Sequence, residues 1–369
     1  MKILPWEGST VFPALCATLL AWRKSAPDVR DLPWRDEPTP YHVWISEIML
    51  QQTRAAVVRS YYLRFLDALP SVCDLADVDD DALMKLWQGL GYYSRARNLK
   101  RAAEVIVEKH EGQLPKDFDA LLALPGIGRY TASAIASFAY GQPRPAVDGN
   151  FLRVAARVTA NPIDIAKDTS KRALETALAP SYPSGRDAGL LNEAFMDLGA
   201  TICLPNGAPL CHSCPATRLC LAHEYGTEQD YPIKTALKAR RKEQRTVLLL
   251  SCGGQIAIRK RPARGLLAGL WEYPNLDGKL SKRAVRAHLE AEGYHILDIA
   301  PLPPARHIFS HIEWNLTGWA VTVAERSEPP LMAAEEMDGA PAPLLWVRRE
   351  ELADKYSIPA AFGYFTPQD

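Results

Sequence analysis

The sequence lacks an excess of charge of either sign. Its 369 residues include 43 lysines and arginines and 43 aspartates and glutamates, so the formal net charge is zero. Proteins that bind nucleic acid often have a positive total. Composition therefore gives no support for such a partner, and a nucleic-acid interaction has to be inferred from motifs. Internal repeats and low-complexity segments are also lacking, and the length predicts two or three globular domains.

Long hydrophobic runs are lacking too. The apolar stretch near the start, residues 11–22, is only about one helix long and contains Pro13. A membrane span needs ~20 apolar residues, so this stretch predicts a core helix, and we expect neither a targeting signal nor a membrane partner. Seven cysteines without a secretion signal indicate a reducing compartment. We therefore expect a cytoplasmic protein.

Apolar residues at helical spacing dominate the first 225 residues. Helices are predicted at residues 44–69, 81–90, 93–110, 118–124, 169–178 and 188–202. A polar, basic segment follows and is typical of a linker or a solvated surface strap. Strands are then predicted at 246–250, 256–258, 312–323 and 344–347, with a hairpin turn at 252–255 and an amphipathic helix at 281–292. The sequence thus predicts a mainly α region at 1–225, a linker at 226–244 and a smaller α+β domain at 245–369.

The rest of the interpretation depends on residues 124–150. Pro125, Gly126 and Gly128 predict a tight turn, and the Ala- and Ser-rich segment after them predicts a helix. Backbone N–H groups at such a helix start suit a phosphate, although an ordinary turn between helices has the same glycines. Asp148 lies where the next helix begins, close enough in sequence to share a site with the turn.

Four cysteines lie close together, at Cys203, Cys211, Cys214 and Cys220, with seven, two and five residues between them. Such density predicts a metal centre, because thiolates are metal ligands and short spacers close small rings. Zinc prefers two Cys-x2-Cys pairs, and only one is present. Iron–sulfur clusters accept more varied spacing. The remaining cysteines, Cys16, Cys73 and Cys252, are isolated and are expected to be small buried hydrophobic residues.

Several motifs in fixed order resemble the endonuclease III superfamily of DNA glycosylases, and within it the adenine DNA glycosylases of the MutY type. They are LPWR at 32–35, WISEIMLQQT at 44–53, GLGYYSRARNL at 89–99, LPGIGRYTA at 124–132, VDGN at 147–150, the four cysteines, and GLLAGLWEYP at 265–274. One departure is a first cysteine spacer one residue longer than is usual in the family. The resemblance covers nearly the whole chain. It implies a helix–hairpin–helix glycosylase fold with a six-helix module at about 36–140, a cluster module from 1–35 and 141–225, and a [4Fe–4S] cluster on the four cysteines.

The resemblance also implies a catalytic pair of carboxylates. Removing a base from deoxyribose requires protonation of a poor leaving group and stabilisation of a sugar cation, and two carboxyl groups of different pKa meet both needs. Glu47 matches the family's general acid, and its apolar neighbours should raise its pKa by desolvation. Asp148 matches the carboxylate that stabilises the cation, and Asn150 a residue that supports it. Trp34 and Arg35 match the family's adenine pocket.

Tyr130 decides the expected subclass. Strand-nicking members of the superfamily have a lysine at this position, which forms a Schiff base with the sugar. A phenol cannot form an imine. The resemblance therefore implies removal of the base without efficient strand cleavage.

The expected partner is double-stranded DNA with adenine opposite 8-oxoguanine or guanine, bound by a monomer and, in a bacterium, associated with the nucleoid. A base inside a duplex has to be flipped out before it can react. The residues that match the family's wedge and phosphate contacts are Gln52, Thr53, Tyr92, Gly126 and Gly128, with Arg95 and Arg97 as further candidate phosphate contacts.

The C-terminal domain resembles a Nudix domain. Residues 286–293 (RAHLEAEG) retain Arg286, Glu290 and Gly293 of the Nudix metal-binding helix, but alanines replace two carboxylates. A single carboxylate makes a poor magnesium site, so the domain is expected to bind rather than hydrolyse. Phe309, Ser310 and His311 match the family's loop that senses 8-oxoguanine.

Three other functions remain possible at this point. The first is an endonuclease III-like glycosylase and lyase on oxidised pyrimidines, which Tyr130 and the C-terminal domain oppose. The second is a catalytically inactive iron–sulfur protein that binds DNA, which Glu47 and Asp148 oppose. A nucleotide-hydrolysing Nudix enzyme is the third, and its carboxylates are missing.

Overall fold

The computed structural model describes residues 6, 9–27, 29–235, 239–324 and 342–366. The chain forms two compact units. The first comprises Met1–Asp77 and Asn98–Leu237, and the second comprises Val78–Arg97 and Lys238–Asp369. The second unit thus includes a short segment from within the helical region. The domain limits expected from the sequence stay a prediction.

The first unit is built of helices. They are α1 (Val11–Ser25), α2 (Pro40–Leu50), α3 (Ala55–Ala68), α4 (Val72–Asp77), α7 (Phe118–Leu122), α8 (Arg129–Phe138), α9 (Gly149–Val158), α10 (Asp168–Leu178), α11 (Arg186–Thr201) and α12 (Leu221–Glu224). Helix α6 (Ser94–His110) begins in the second unit and continues into the first. The predicted helical character of this region is confirmed, as is the core helix near the start, where Phe12, Leu15 and Leu19 are buried.

Helix α2 is buried on almost every side. Thr39 caps it by accepting a hydrogen bond from the His42 backbone N–H, and Pro40 occupies the first helical position, where no N–H is needed. A helix that is apolar all round belongs in a protein core. The prediction of a single helix over 44–69 is wrong, because α2 ends at Leu50 and α3 begins only at Ala55. Between them Gln52 adopts a left-handed backbone conformation with φ 58°, which interrupts the helix.

The core of the first unit lies among α1, α9, α10 and α11. Phe151 of α9 and Phe195 of α11 stack with their ring centroids 4.3 Å apart. Next to them the side chain of Asn192 is fully buried and accepts hydrogen bonds from the Ala146 backbone N–H and the Tyr182 hydroxyl. Buried polar groups need such partners, so Asn192 fixes the chain just before Asp148.

The second unit contains a mixed sheet with flanking helices. Its strands are β1 (Arg241–Cys252), β2 (Gln255–Lys260), β3 (Trp271–Glu272), β4 (Asn275–Asp277), β5 (Ile296–Ile308), β6 (Ile312–Val323) and β7 (Leu345–Arg348). Its helices are α5 (Asp80–Leu86), α13 (Lys282–Ala291), α14 (Arg349–Lys355) and α15 (Ala360–Gly363). The main strand order is β3-β2-β1-β6-β5, with β4 paired to β1 and β7 to β2. This confirms the α+β prediction and the hairpin, in which Cys252 pairs with Gln255.

Two strands of this unit were not anticipated in full from the sequence. The predicted linker extended to residue 244, whereas β1 begins at Arg241 and pairs in parallel with β6 from Ile312 onward. Strand pairing with a distant segment overrides the polar character of this stretch. The long strand β5 was missed because it contains prolines, which edge strands and bulges tolerate. Its register against β6 shifts between Leu302 and Ala305, where two of the prolines lie.

Among the residues that the structure describes, no helix combines the length and the apolar character that a membrane span requires.

Candidate active site

Glu47 lies in the middle of the buried helix α2, and its side chain has almost no access to solvent, since the residue is only 5% exposed. The Tyr130 hydroxyl donates a hydrogen bond of 2.7 Å to its Oε2 atom. Tyr130 is in the first turn of α8, directly after the glycine turn. Gly126 in that turn has φ +75°, and an added Cβ would lie 2.6 Å from Asn98, so only glycine fits there. The turn therefore places the phenol against the carboxyl group.

Asp148 is the N-cap residue of α9. Its Oδ1 atom accepts hydrogen bonds from the backbone N–H groups of Asn150, at 2.8 Å, and Phe151, at 2.9 Å. The side-chain amide of Asn150 donates a 2.6 Å hydrogen bond to Oδ2. An N-cap is a common structural role for aspartate, and here it coincides with the position proposed for catalysis. The helix start orients the carboxylate and places it at the positive end of the helix dipole.

One pocket in the first unit brings the predicted residues together. Glu47, Tyr130, Asp148, Asn150, Trp34 and Arg35 all line it. Trp34 is 7% exposed and contacts Tyr62 edge-on, with ring centroids 5.7 Å apart. A concave pocket that combines an aromatic wall with few convergent polar groups is typical of a ligand site.

The two carboxyl groups differ in their electrostatic surroundings. Burial raises the pKa of Glu47 to about 7, and the negative charge of Asp148 acts in the same direction, while the Tyr130 hydrogen bond and Arg35 oppose the rise. This confirms the predicted effect of desolvation. Burial also raises the pKa of Asp148, but three hydrogen bonds at the helix start and the charge of Arg153 oppose it. Since burial and both carboxylates raise the Tyr130 pKa well above its usual value, the phenol stays a hydrogen-bond donor.

This arrangement suits acid catalysis. A carboxyl group with a pKa near 7 is partly protonated at neutral pH and can donate its proton. A second carboxylate that is hydrogen-bonded at a helix start can remain ionised and stabilise a positive charge. Pairs of carboxyl groups whose environments separate their pKa values mark acid and base roles in catalytic sites.

The structure adds three charged residues near Arg35 that the sequence did not single out, namely Arg30, Glu193 and Asp197. Arg35 makes a two-pronged ion pair with Asp197, at 2.8 Å and 3.0 Å, and Asp197 is fully buried. Glu193 and Arg30 also line the pocket, and Arg30 lies 3.5 Å from Asp197. The signal that could have revealed the acidic pair was the spacing of Glu193 and Asp197, which lie four residues apart on α11 among apolar residues.

Arg153 connects the Asp148 region to the cysteine loop. Its Nη2 atom donates to Asn150 Oδ1 at 2.8 Å and to the Gly199 carbonyl at 2.7 Å, and its Nε atom donates to the Cys203 carbonyl at 2.8 Å. Gly199 allows this approach, because an added Cβ would lie 2.5 Å from Asn150. The sequence analysis missed Arg153, although its position on the same helix as Asn150, three residues further on, is the spacing at which side chains meet.

The four cysteines line a second, smaller cavity in the first unit, and none forms a disulfide. Burial raises the pKa of the Cys211 and Cys220 thiols to about 11, and neighbouring cysteines add to the rise in both. The thiols are thus near enough to affect one another. Arg157 donates to Cys203 Sγ at 3.2 Å. Such a set of thiols next to a cation fits a bound metal group, because a cation offsets the negative charge of thiolate ligands.

A different combination of donors is also present beside this cavity. Ligand atoms of Cys211, His223 and Glu228 lie within 4.8 Å of one another. This group shares Cys211 with the predicted set, so the two combinations are alternatives at the same position.

The isolated cysteines follow the prediction only in part. Cys16 is buried, as expected, while Cys252 is intermediate. The prediction is wrong for Cys73, which is exposed. It lies on the short helix α4, whose buried side is supplied by Val72 and Leu75.

The residues predicted to contact DNA are divided between the two units. In the first unit, Gln52 and Thr53 follow the end of α2, and Gly126 and Gly128 lie in the turn before α8. In the second, Tyr92 and the loop of Phe309, Ser310 and His311 lie together, with the Tyr92 hydroxyl 2.9 Å from Ser310 Oγ.

Several of these side chains are available to a ligand. Tyr92 is 43% exposed and has a left-handed backbone at φ 47°, an unusual conformation for a bulky residue. Ser310 and His311 are exposed, and Phe309 is half-buried against Trp314 at a centroid distance of 4.9 Å.

The two arginines named as further phosphate contacts bind backbone carbonyls of the protein instead. The Arg95 guanidinium is buried and donates to the carbonyls of Leu90 and Gly91. Arg97 donates to the Ala268 carbonyl. Their role in phosphate binding is therefore not supported, because both cations are engaged by backbone carbonyls of their own unit.

The helix that matches the Nudix motif is intact but poor in carboxylates. Glu290 of α13 pairs with Arg286 at 3.4 Å. Among the described residues, both candidate metal-binding sets lie at the cysteine cavity, and neither includes a residue of α13. The binding role of the domain stays a prediction.

Comparison with known proteins identifies the class. Residues 45–180 match the family described as HhH-GPD superfamily base excision DNA repair protein, and residues 245–365 match the NUDIX domain family. A solved structure of a thermostable thymine-DNA glycosylase is similar to 58% of this chain and 97% of its own, with 31% identity and a TM-score of 0.51. With the carboxyl groups of Glu47 and Asp148 in one pocket, the protein is a DNA N-glycosylase of the helix–hairpin–helix class.

More extended sequence matches identify the family within this class. The human adenine DNA glycosylase is 33% identical over 92% of this chain and 71% of its own length. That of Buchnera aphidicola (subsp. Schizaphis graminum) is 32% identical over 68% of this chain and 72% of its own. The chain belongs to the adenine DNA glycosylase family, which confirms the resemblance found in the sequence.

The hydrogen bond between Tyr130 and Glu47 has a measurable consequence. Because the phenol donates to the carboxylate, it stabilises the ionised form and lowers the Glu47 pKa. We expect Tyr130→Phe to raise the Glu47 pKa above about 7. Carbon-detected NMR titration of protein labelled at glutamate carboxyl carbons measures this, and Glu47→Gln identifies the resonance. A Glu47 pKa that falls or stays constant in Tyr130→Phe would contradict the described geometry.

Proposed function

We propose that the protein removes adenine mispaired with 8-oxoguanine or guanine in duplex DNA, by hydrolysis and without cutting the strand, as the first step of base excision repair. The observation that carries this proposal is the meeting of Glu47, Tyr130 and Asp148 in one pocket lined by Trp34. Membership of the adenine DNA glycosylase family supplies the substrate class.

The first step is acid-assisted departure of the base. Glu47, with a pKa of about 7, donates its proton to adenine N7. The bond between C1′ and the base then breaks, and both bonding electrons leave with the protonated adenine. The phenol of Tyr130 holds one carboxyl oxygen of Glu47, which leaves the other oxygen to carry the proton.

The second step concerns the sugar cation that remains. Asp148 acts here in its ionised form; it lines the pocket, and its Oδ2 atom accepts a hydrogen bond from the Asn150 amide. The carboxylate stabilises the positive charge at C1′ and can form a covalent ester with it, after which water yields an abasic site. Asn150 and two backbone N–H groups hold the carboxylate in place.

The residue at position 130 limits the chemistry. Tyr130 occupies the position of the lysine in strand-nicking relatives, and its phenol remains protonated. No imine forms from a phenol, so the sugar–phosphate backbone stays intact. The phenol at position 130 therefore argues against the lyase function that the sequence left open. The presence of both Glu47 and Asp148 argues against a catalytically inactive DNA-binding protein.

DNA recognition is divided among the remaining residues. Gly126 and Gly128 present backbone N–H groups at the start of α8 to a phosphate. Gln52, Thr53 and Tyr92 fill the space left by the flipped adenine. The loop of Phe309, Ser310 and His311 senses 8-oxoguanine, and the Nudix-like domain at 245–369 acts as a binding domain.

We further propose that Cys203, Cys211, Cys214 and Cys220 hold a [4Fe–4S] cluster. All four line one small cavity, and Arg157 offsets the charge of the thiolates. The four thiolates would hold such a cluster beside α9, where it would stabilise the loop after α11 or supply electron-transfer chemistry. A mainly helical region at 1–225, a linker, and a binding domain at 245–369 form a monomer. Cysteines that ligate a metal group instead of pairing in disulfides are typical of a reducing compartment, so we place the enzyme in the bacterial cytoplasm, on the nucleoid.

The proposed reaction is tested with a duplex that carries a single 8-oxoguanine:adenine pair. We expect strand breaks only after hot alkali, because alkali cleaves at the abasic site that the enzyme leaves. Asp148→Asn should lower the rate of adenine release by at least about a thousandfold, since it removes the charge that faces C1′, while DNA binding persists in a gel-shift assay. Asp168→Asn, at an exposed helix start, is the matched control and should retain activity.

Three results would contradict this account. Breaks without alkali would indicate a lyase, no breaks in either sample would indicate a scaffold, and full activity of Asp148→Asn would exclude its assigned role.

The cluster is tested by elemental analysis. We expect protein purified without oxygen to contain about four iron and four sulfide per chain and to absorb visible light. Cys214→Ser should lose most of both, whereas Cys73→Ser, at an exposed position outside the cavity, should lose none. A colourless protein that contains zinc would overturn the proposal and favour the group of Cys211, His223 and Glu228.

A further inference from the structure

The Phe309–Ser310–His311 loop is held at both ends by one short segment of the chain. The Arg240 Nε atom donates a 3.1 Å hydrogen bond to the Phe309 carbonyl. The backbone N–H of Arg241 donates a 3.0 Å hydrogen bond to the His311 carbonyl. The segment that does this was predicted to be part of a solvated linker. All of these residues belong to the second unit.

Other contacts hold the loop from within. The Phe309 backbone N–H donates to the Ile312 carbonyl at 2.8 Å, which closes the turn between β5 and β6. The Phe309 ring lies between Trp314, at 4.9 Å, and His307, at 4.6 Å between ring centroids. The anchors thus leave Ser310 and His311 exposed at the tip.

We propose that Arg240 is a positioning residue for recognition of the base opposite adenine. Its guanidinium fixes the Phe309 carbonyl and thereby sets the orientation of Ser310 and His311. The inference rests on the proposed function, because it assumes that this loop reads 8-oxoguanine. It adds a residue from outside the loop that controls how well the loop distinguishes 8-oxoguanine from guanine.

The physical reason is preorganisation. The two bases differ by few atoms, so discrimination depends on donors and acceptors that are already in place when DNA arrives. A loop tip that is free to move loses this selectivity before it loses binding. The backbone bond of Arg241 holds the far side of the tip whatever side chain is present. On the near side, the Phe309 ring and N–H have their own contacts, and the hydrogen bond to the Phe309 carbonyl is the one that depends on the Arg240 side chain.

A contact between Arg240 and a DNA phosphate would behave differently. Loss of a phosphate contact weakens binding about uniformly across sequences and reduces the salt dependence of binding. A positioning role changes the ratio of excision rates for 8-oxoguanine:adenine and guanine:adenine duplexes. The ratio therefore separates the two roles.

The test compares Arg240→Met with Lys242→Met, which removes the same charge two residues along the chain. Lys242 is exposed and stands opposite Glu313 in the β1–β6 pairing. We expect Arg240→Met to lower the rate ratio about tenfold, which is the effect of losing one charge-assisted hydrogen bond. We expect Lys242→Met to leave the ratio unchanged, and Arg240→Lys to recover part of the loss because lysine can still donate to the carbonyl.

Amide hydrogen exchange gives a readout that does not depend on activity. In free Arg240→Met, the amides of residues 309–312 should exchange faster than in the parent, and in Lys242→Met they should not. Unchanged exchange in Arg240→Met would overturn the inference, and so would equal losses of rate on both duplexes with a reduced salt dependence.

A double variant, Ser310→Ala with His311→Ala, separates this inference from the proposed function. If the double variant leaves the rate ratio unchanged, the proposed role of the loop fails, and the inference fails with it. If it lowers the ratio while Arg240→Met does not, only the inference fails. When both are correct, adding Arg240→Met to the double variant lowers the ratio no further, because the three changes act through one loop.

Discussion

The burial of Glu47 beside Tyr130 is the interaction on which the rest of the site depends. A carboxyl group exposed to water would be ionised at neutral pH and would have no proton to give. Glu47 lies on the buried helix α2, and burial raises the Glu47 pKa to about 7. The phenol limits this rise and orients the group. A stronger desolvation without that bond would keep the proton too firmly for efficient transfer at neutral pH.

The second carboxyl group has more partners that favour its charged form. Burial raises the pKa of Asp148 too, but a helix start, an amide side chain and Arg153 oppose the rise. Arg153 donates to Asn150 and, at its other end, to the carbonyl of Cys203. The geometry of Asp148 is therefore linked through two side chains to the loop that bears the cysteines. Both carboxyl groups are pre-set by the fold before DNA binds.

The sequence revealed the parts of this site that local patterns specify. Helical spacing predicted most helices of the first unit, and the glycine turn with the Asp148 helix start predicted where two of the site residues lie. Ordered motifs assigned Glu47, which composition alone would have left as an ordinary helix residue. Long-range contacts were beyond this reasoning. The ion pair of Arg35 with Asp197 joins residues far apart in the chain, and β1 begins inside the expected linker because it pairs with β6. Neither the ion pair nor the strand pairing can be recognised from the residues that are adjacent in sequence.

The central claim is that a buried Glu47 with a pKa of about 7 is the acid that releases adenine. The most direct measurement is the pH dependence of adenine release from an 8-oxoguanine:adenine duplex, with enzyme in excess and below saturation, so that the profile reports the free enzyme. Because the protonated form is the reactive one, the rate should be constant in mild acid and fall about tenfold per pH unit above about pH 7. A rate that is independent of pH up to about pH 9, or that rises with pH, would contradict the claim.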